Sequence, residues 1–197
     1  MLNDKVKNGF RRSVHPVIRL FAAMHITPNM LTLTGVLINI LAAYTIAIGR
    51  FLTGGIILIV ASIFDTFDGE LARTTGKITS SGAFLDSISD RYSEFFILGG
   101  IGYHFIVTGN NIGIYSTFFA MIGSIMTSYT RARAEGVGIE LKGGFFQRPE
   151  RVLYLVIIIL FFSKFLNYGM LLFALLTIFT ALQRLIVGFN KIKSIKS

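Results

Sequence analysis

Asp65, Asp68, Asp86 and Asp90 place four carboxylates within 26 residues of a chain that is 53% hydrophobic. Asp65 and Asp68 are three residues apart, Asp86 and Asp90 four. On helices each pair shares one face, with axial separations of about 4.5 Å and about 6 Å. Two such faces turned toward each other make a cage of acids. Left alone, that cage repels itself and is costly to desolvate. Divalent cations relieve both costs, and hard oxygen ligands suit Mg2+, Mn2+ or Ca2+.

A lone Asp-x-x-Asp is weak evidence for metal, because acids are common on solvated helix faces. The surroundings strengthen it here. Gly54–Phe64 is uncharged and apolar. Asp65 therefore stands at the end of a membrane-like helix, where a carboxylate is costly and functional by default. Gly69 lets a ligand approach the backbone closely. Arg73, five residues after Asp68, offers a fork for phosphate.

The full pattern is Asp-x2-Asp-Gly-x2-Ala-Arg-x8-Gly-x3-Asp-x3-Asp. It runs through Asp65, Asp68, Gly69, Ala72, Arg73, Gly82, Asp86 and Asp90, with Thr74–Ser81 filling the long gap. It resembles the signature of the CDP-alcohol phosphotransferase family at every fixed position. The resemblance implies transfer of the phosphatidyl-type group of a CDP-lipid to an alcohol, with CMP leaving. It implies Asp65, Asp68, Asp86 and Asp90 as ligands of Mg2+ or Mn2+, two ions in all. Asp90 is then also the base that takes the proton of the attacking hydroxyl. Phosphoryl transfer suits such a site, since it needs charge neutralisation and alignment more than covalent help. The resemblance further implies that Gly69, Arg73 and Thr79 hold the cytidine diphosphate, joined by Pro28, Asn29, Met30 and Leu31. Thr27-Pro28-Asn29 reads equally well as a plain helix start. Family members are typically homodimers, so a homodimer is implied.

The acceptor is read from two later stretches, Ser128-Tyr-Thr-Arg131-Ala-Arg133-Ala-Glu135 and Gln147-Arg148-Pro149-Glu150-Arg151. Taken alone, their basic residues serve as well for a membrane anchor. Together they resemble the branch of the family that makes phosphatidylinositol phosphate or archaetidylinositol phosphate. That resemblance implies Arg131, Arg133 and Arg151 as ligands of the phosphate of inositol phosphate, with Arg184 a weaker match. The first basic residue is commonly Lys in the branch, so Arg131 keeps the charge and changes the shape. Arg131 and Arg133 diverge on a regular helix, so both reach one ligand only if the helix end bends. Glu70 and Glu94 are left out of the site. Glu94, four residues after Asp90, could support the acids from behind, but it reads better as the partner of a base such as Arg91 or Lys77.

These residues need elements to hold them. Mean hydropathy of +0.67 marks a membrane composition. The absence of cysteine excludes disulfides and thiolate metal sites. The net charge of +9 arises from basic residues that border apolar segments, which favours an anionic membrane surface and anionic substrates over nucleic acid. No cleavable signal is evident. The expected fold is all-α: one domain over residues 1–197, a membrane-surface helix over about 4–23, and six spans over about 30–189. Lys5, Lys7, Arg11 and Arg12 supply the polar face of the surface helix, and Pro16 is a candidate break. Asp65 and Asp68 leave the second span, Asp86 and Asp90 enter the third. Arg131 and Arg133 end the fourth, and Arg151 starts the fifth. Of the 19 Lys and Arg, all but Arg50 and Lys164 fall on one side, Arg91 and Arg184 being placed from within helices. That side is the cytoplasm, and the protein a multi-pass protein of the cytoplasmic membrane. His15 and His25 read as interfacial residues and His104 as a packed polar residue.

Two other functions compete. The same chemistry can use another acceptor, such as glycerol 3-phosphate, serine or inositol. A divalent-cation transporter also carries intramembrane acids, but here the acids gather at one membrane face rather than along a span.

Overall fold

The computed structural model describes residues 4–141 and 143–196, and every regular element among them is helical. The helices are α1 (Asp4–Ala23), α2 (Pro28–Ala47), α3 (Phe51–Thr74), α4 (Ser80–Val107), α5 (Asn111–Glu135), α6 (Arg148–Phe161) and α7 (Leu166–Lys196), with a 3-10 turn at Ser163–Phe165 ahead of α7. α2, α3, α5 and the stretch Ser163–Ser194 are the 4 candidates long and apolar enough to cross a membrane. Of the expected six spans, α4 and α6 fall short for different reasons. α4 has the length but carries Asp86, Asp90, Arg91 and Glu94 within its first 15 residues. α6 has 14 residues, about 21 Å at 1.5 Å per residue, against a hydrocarbon core of about 30 Å.

Local chemistry sets the helix starts. Thr27 caps α2, its hydroxyl accepting from Met30 N–H at 3.3 Å, with Pro28 in the first turn. Thr79 caps α4 through Gly82 N–H at 3.0 Å, and Asn110 caps α5 through Gly113 N–H at 2.9 Å. The α1 backbone runs through Pro16 unbroken. The side chains of Lys5, Lys7, Arg11 and Arg12, on which the surface-helix reading rests, lie outside the described residues. The far part of α1 packs on α3: Ile18 is buried with Leu31 and Leu71.

α2 packs along both α3 and α4, and α5 packs along α7. Small residues set these distances, as is usual where lipid gives helices no hydrophobic drive to associate. A Cβ on Gly100 of α4 would run into the Ala43 backbone of α2, and one on Gly123 of α5 into Thr177 of α7. The main core gathers Ile46, Leu58, Ile97, Ile101, Leu155, Ile159 and Phe173. Leu37, Leu52, Phe118 and Leu175 point outward, an apolar exterior that water would not tolerate and lipid does. His104 packs against Phe51 with ring centroids 4.8 Å apart, as a packed polar residue should.

Candidate active site

The acids converge from two helices that α2 holds side by side. α3 supplies Asp65 and Asp68, and α4 supplies Asp86 and Asp90. Asp68, 5% exposed, is fixed to α2 by the Thr32 hydroxyl, which donates to its Oδ2 at 2.6 Å. Asp65, Asp68 and Asp86 each bring a carboxylate oxygen to within 4.8 Å of the others. Three hard oxygen donors at that spacing fit a divalent cation.

Asp90 stands apart from this trio because Arg148 intervenes. Arg148 donates from Nη1 to Asp65 Oδ2 at 2.9 Å and from Nη2 to Asp65 Oδ1 at 3.1 Å. Its Nη2 also lies 2.7 Å from Asp90 Oδ1, out of line for a hydrogen bond. Asp90 Oδ1 and Arg148 Nε thus remain buried without hydrogen-bond partners. Arg91 approaches Asp90 at 3.8 Å and donates to the Ser87 hydroxyl at 2.8 Å.

Two clefts flank the acids. The first, ≈ 200 Å³, lies between the starts of α2 and α4 and the end of α3. Pro28, Asn29, Gly69, Arg73 and Thr79 line it, with Thr32, Asp68, Lys77, Gly82 and Asp86. Met30 and Leu31 do not. Met30 points outward, and Leu31 is buried against Ile18 and Leu71, because successive residues of one helix turn cannot all face one cleft. Thr32 and Lys77 went unrecognised in the sequence. Thr32 lies four residues after Pro28 and so shares its face.

The second cleft, ≈ 310 Å³, is lined by Arg91, Arg131, Arg148, Arg151 and Arg184, together with Asp86, Asp90, Glu94, Ser128 and Gln147. Arg133 is exposed and absent from this wall. α5 continues as regular helix to Glu135, so the bend that would unite Arg131 with Arg133 does not form. Arg131 donates to Glu135 at 2.8 Å. Glu94 pairs with a base, as expected, but with neither Arg91 nor Lys77. It takes the fork of Arg151, from Nε at 2.7 Å and Nη2 at 2.8 Å, with 8% and 3% of the two side chains exposed. Arg184 ties the α5–α6 connection down, donating to Thr127 O at 2.7 Å and Gly143 O at 2.9 Å. Phe146 N–H donates to the Thr180 hydroxyl at 3.1 Å, and its ring enters the core. These contacts to α7 deliver Arg148 and Arg151, on successive turns of α6, to the acids. The spacing of three between Arg148 and Arg151 is the signal that could have found Arg148. The pairing of Glu94 with Arg151, across 57 residues, had none.

Asp68 and Asp86 line the first cleft and Asp86 the second, an arrangement that suits a transferase of substituted phosphates. The CDP-alcohol phosphatidyltransferase profile matches residues 25–182, and the chain belongs to that family. Archaetidylinositol phosphate synthase of Pyrococcus horikoshii is 38% identical over 182 residues, covering 92% of this chain and 93% of that protein. The crystal structure of Mycobacterium tuberculosis phosphatidylinositol phosphate synthase with CDP-DAG bound superposes with a TM-score of 0.84 at 28% identity, covering 90% of this chain and 94% of that one. A second structure of that enzyme, in complex with manganese and citrate, gives 0.81 at 28% identity, covering 88% of each chain.

Proposed function

We propose that the protein transfers the phosphatidyl-type group of a CDP-lipid to an inositol phosphate, releasing CMP. The observation that carries this reading is Asp86, which lines both clefts. Groups held in the two clefts therefore meet at the acids. The relatives named for inositol phosphate products support the choice of acceptor.

The first cleft takes the cytidine diphosphate. Gly69 leaves room, its missing Cβ lying 3.3 Å from Arg73 Nη2, and Arg73 and Lys77 face the anionic diphosphate. An apolar groove of ≈ 540 Å³, walled by Leu58, Ile63, Leu153 and Val156, opens beside Asp65 and Asp90 and suits one lipid chain. The second cleft takes the acceptor, with Arg131, Arg151 and Arg184 around its phosphate. Asp90, on that wall, accepts the proton of the attacking hydroxyl. The hydroxyl oxygen bonds to the lipid-bearing phosphorus, the phosphoanhydride bond breaks, and CMP leaves with the electron pair. Two Mg2+ or Mn2+ ions on Asp65, Asp68, Asp86 and Asp90 would neutralise the phosphate oxygens and acidify the hydroxyl when bound.

The same reading places α4 and α6 across the bilayer beside the four apolar spans, six in all, the bilayer thinning locally around the short α6, with α1 on the membrane surface, both ends and the acids at the cytoplasmic face, and a homodimer as the assembly. Reporters at residues 1 and 197 should both read cytoplasmic; opposite sides would refute the arrangement. The function is tested with purified protein, CDP-lipid and a panel of acceptors, following CMP release. Inositol 1-phosphate should be far better than inositol or glycerol 3-phosphate. Equal rates would overturn the acceptor and leave the phosphotransferase chemistry standing.

A further inference from the structure

Among the described residues, Arg148 is the one cation seen to touch two acids of the site at once. Its fork occupies both oxygens of Asp65, at 2.9 and 3.1 Å, and its Nη2 reaches Asp90 at 2.7 Å. A divalent ion drawn to Asp65 and Asp90 seeks the same lone pairs. A bidentate guanidinium is among the strongest partners a carboxylate has in a protein, so the two cations cannot both be fully served.

The grip is also incomplete. Arg148 Nε and Asp90 Oδ1 are both buried and without a hydrogen-bond partner, a cost that native structures rarely carry without use. The same side chain already lines the basic cleft beside Arg131, Arg151 and Arg184. Turning from the acids to that cleft therefore needs a change of side-chain torsions and no movement of α6. The backbone around it is held: Arg151 N–H donates to Gln147 O at 2.9 Å, and Phe146 is pinned to α7.

We propose that Arg148 contends with the divalent cation for Asp65 and Asp90, and that the cation's arrival releases its guanidinium to the acceptor phosphate. Metal loading and phosphate binding then strengthen each other, and by linkage the coupling is reciprocal. The proposal rests on the metal site of the preceding section, and the two fail differently.

The test uses full-length protein in detergent, with Mn2+ binding followed by the electron paramagnetic resonance of the free ion. Arg148→Gln removes the competitor and should bind Mn2+ roughly tenfold more tightly or better, as losing a charge-assisted contact implies. Arg148→Lys keeps the charge and loses the fork, and should lie nearer Arg148→Gln than the unsubstituted protein. Inorganic phosphate is the second probe. Mn2+ should tighten its binding in the unsubstituted protein and do so less in Arg148→Gln. Unchanged or weaker Mn2+ binding in Arg148→Gln overturns the proposal. So does Arg148→Lys binding Mn2+ as the unsubstituted protein does, and this variant decides alone if Arg148→Gln does not fold. An equal effect of Mn2+ on phosphate in both proteins overturns the release step. If the unsubstituted protein binds no Mn2+, the metal site itself falls, and the proposal with it.

Discussion

Arg151→Gln is the obvious probe of the acceptor site, and the structure says that alone it will mislead. Arg151 and Glu94 are buried to 3% and 8% exposure and joined by a two-bond fork. Removing one partner of such a pair strands the other charge, at a cost of about 3–5 kcal/mol. Arg151→Gln therefore leaves Glu94 charged and unpaired beside α6. Part of any loss of activity will then reflect a weakened helix contact. Glu94→Gln should destabilise the protein to a similar extent. The double variant strands no charge, and two amides can hydrogen-bond across the same gap. Its loss should fall well below the sum of the singles, with a coupling toward the top of the ~0.5–3 kcal/mol range of touching residues. The assay is unfolding of the purified protein in detergent, followed across the four members of the cycle. Additive losses would refute the reasoning that this is a desolvated pair. Catalysis separates the other role. In the double variant the KM for inositol phosphate should still be raised about tenfold or more, the worth of one charge-assisted contact, with the KM for CDP-lipid unchanged. A normal acceptor KM in that variant would remove Arg151 from the acceptor site.

Asp90→Asn should lower turnover by about 10²-fold or more at normal protein level, the lower end for a positioned acid–base group; near-normal CMP release would end the role of Asp90. Gly100→Ala should destabilise by roughly 1–3 kcal/mol, because its Cβ meets the Ala43 backbone, which cannot swing away as a side chain can. Gly99→Ala is its control, with nothing within 4 Å of the added Cβ, and should be neutral or slightly stabilising by helix propensity. Equal unfolding midpoints for the two variants would refute the close α2–α4 contact.

What the sequence discloses about this site follows distance along the chain. Asp65 with Asp68, and Asp86 with Asp90, are one helical turn apart, so a regular helix alone fixes which face each pair occupies. Thr27-Pro28 and Thr79 likewise announce α2 and α4 through caps that reach only three residues. The all-helical fold and four long apolar helices follow from hydropathy in the same way. Legibility ends where one helix must be placed against another. That Asp90 would face Arg148 rather than its fellow acids depends on where α6 lies, which follows from its packing on α3 and from contacts of Phe146 and Arg184 between residues 34 to 57 apart. The expectation for Arg133 shows the limit from the other side. Its failure to join Arg131 was implicit in the helical period, and only a bend absent from α5 could have rescued it. Arg148, three residues before Arg151, satisfied that same period and proved to line the cleft. Helical spacing was thus the sounder guide to which arginines share a wall. The partner that Arg151 takes, Glu94, is settled by burial, whereas Arg148 and Asp65 stay partly exposed where they meet. A guanidinium carried into a membrane-embedded bundle takes the nearest carboxylate because leaving either charge alone there costs more than any local preference can offset.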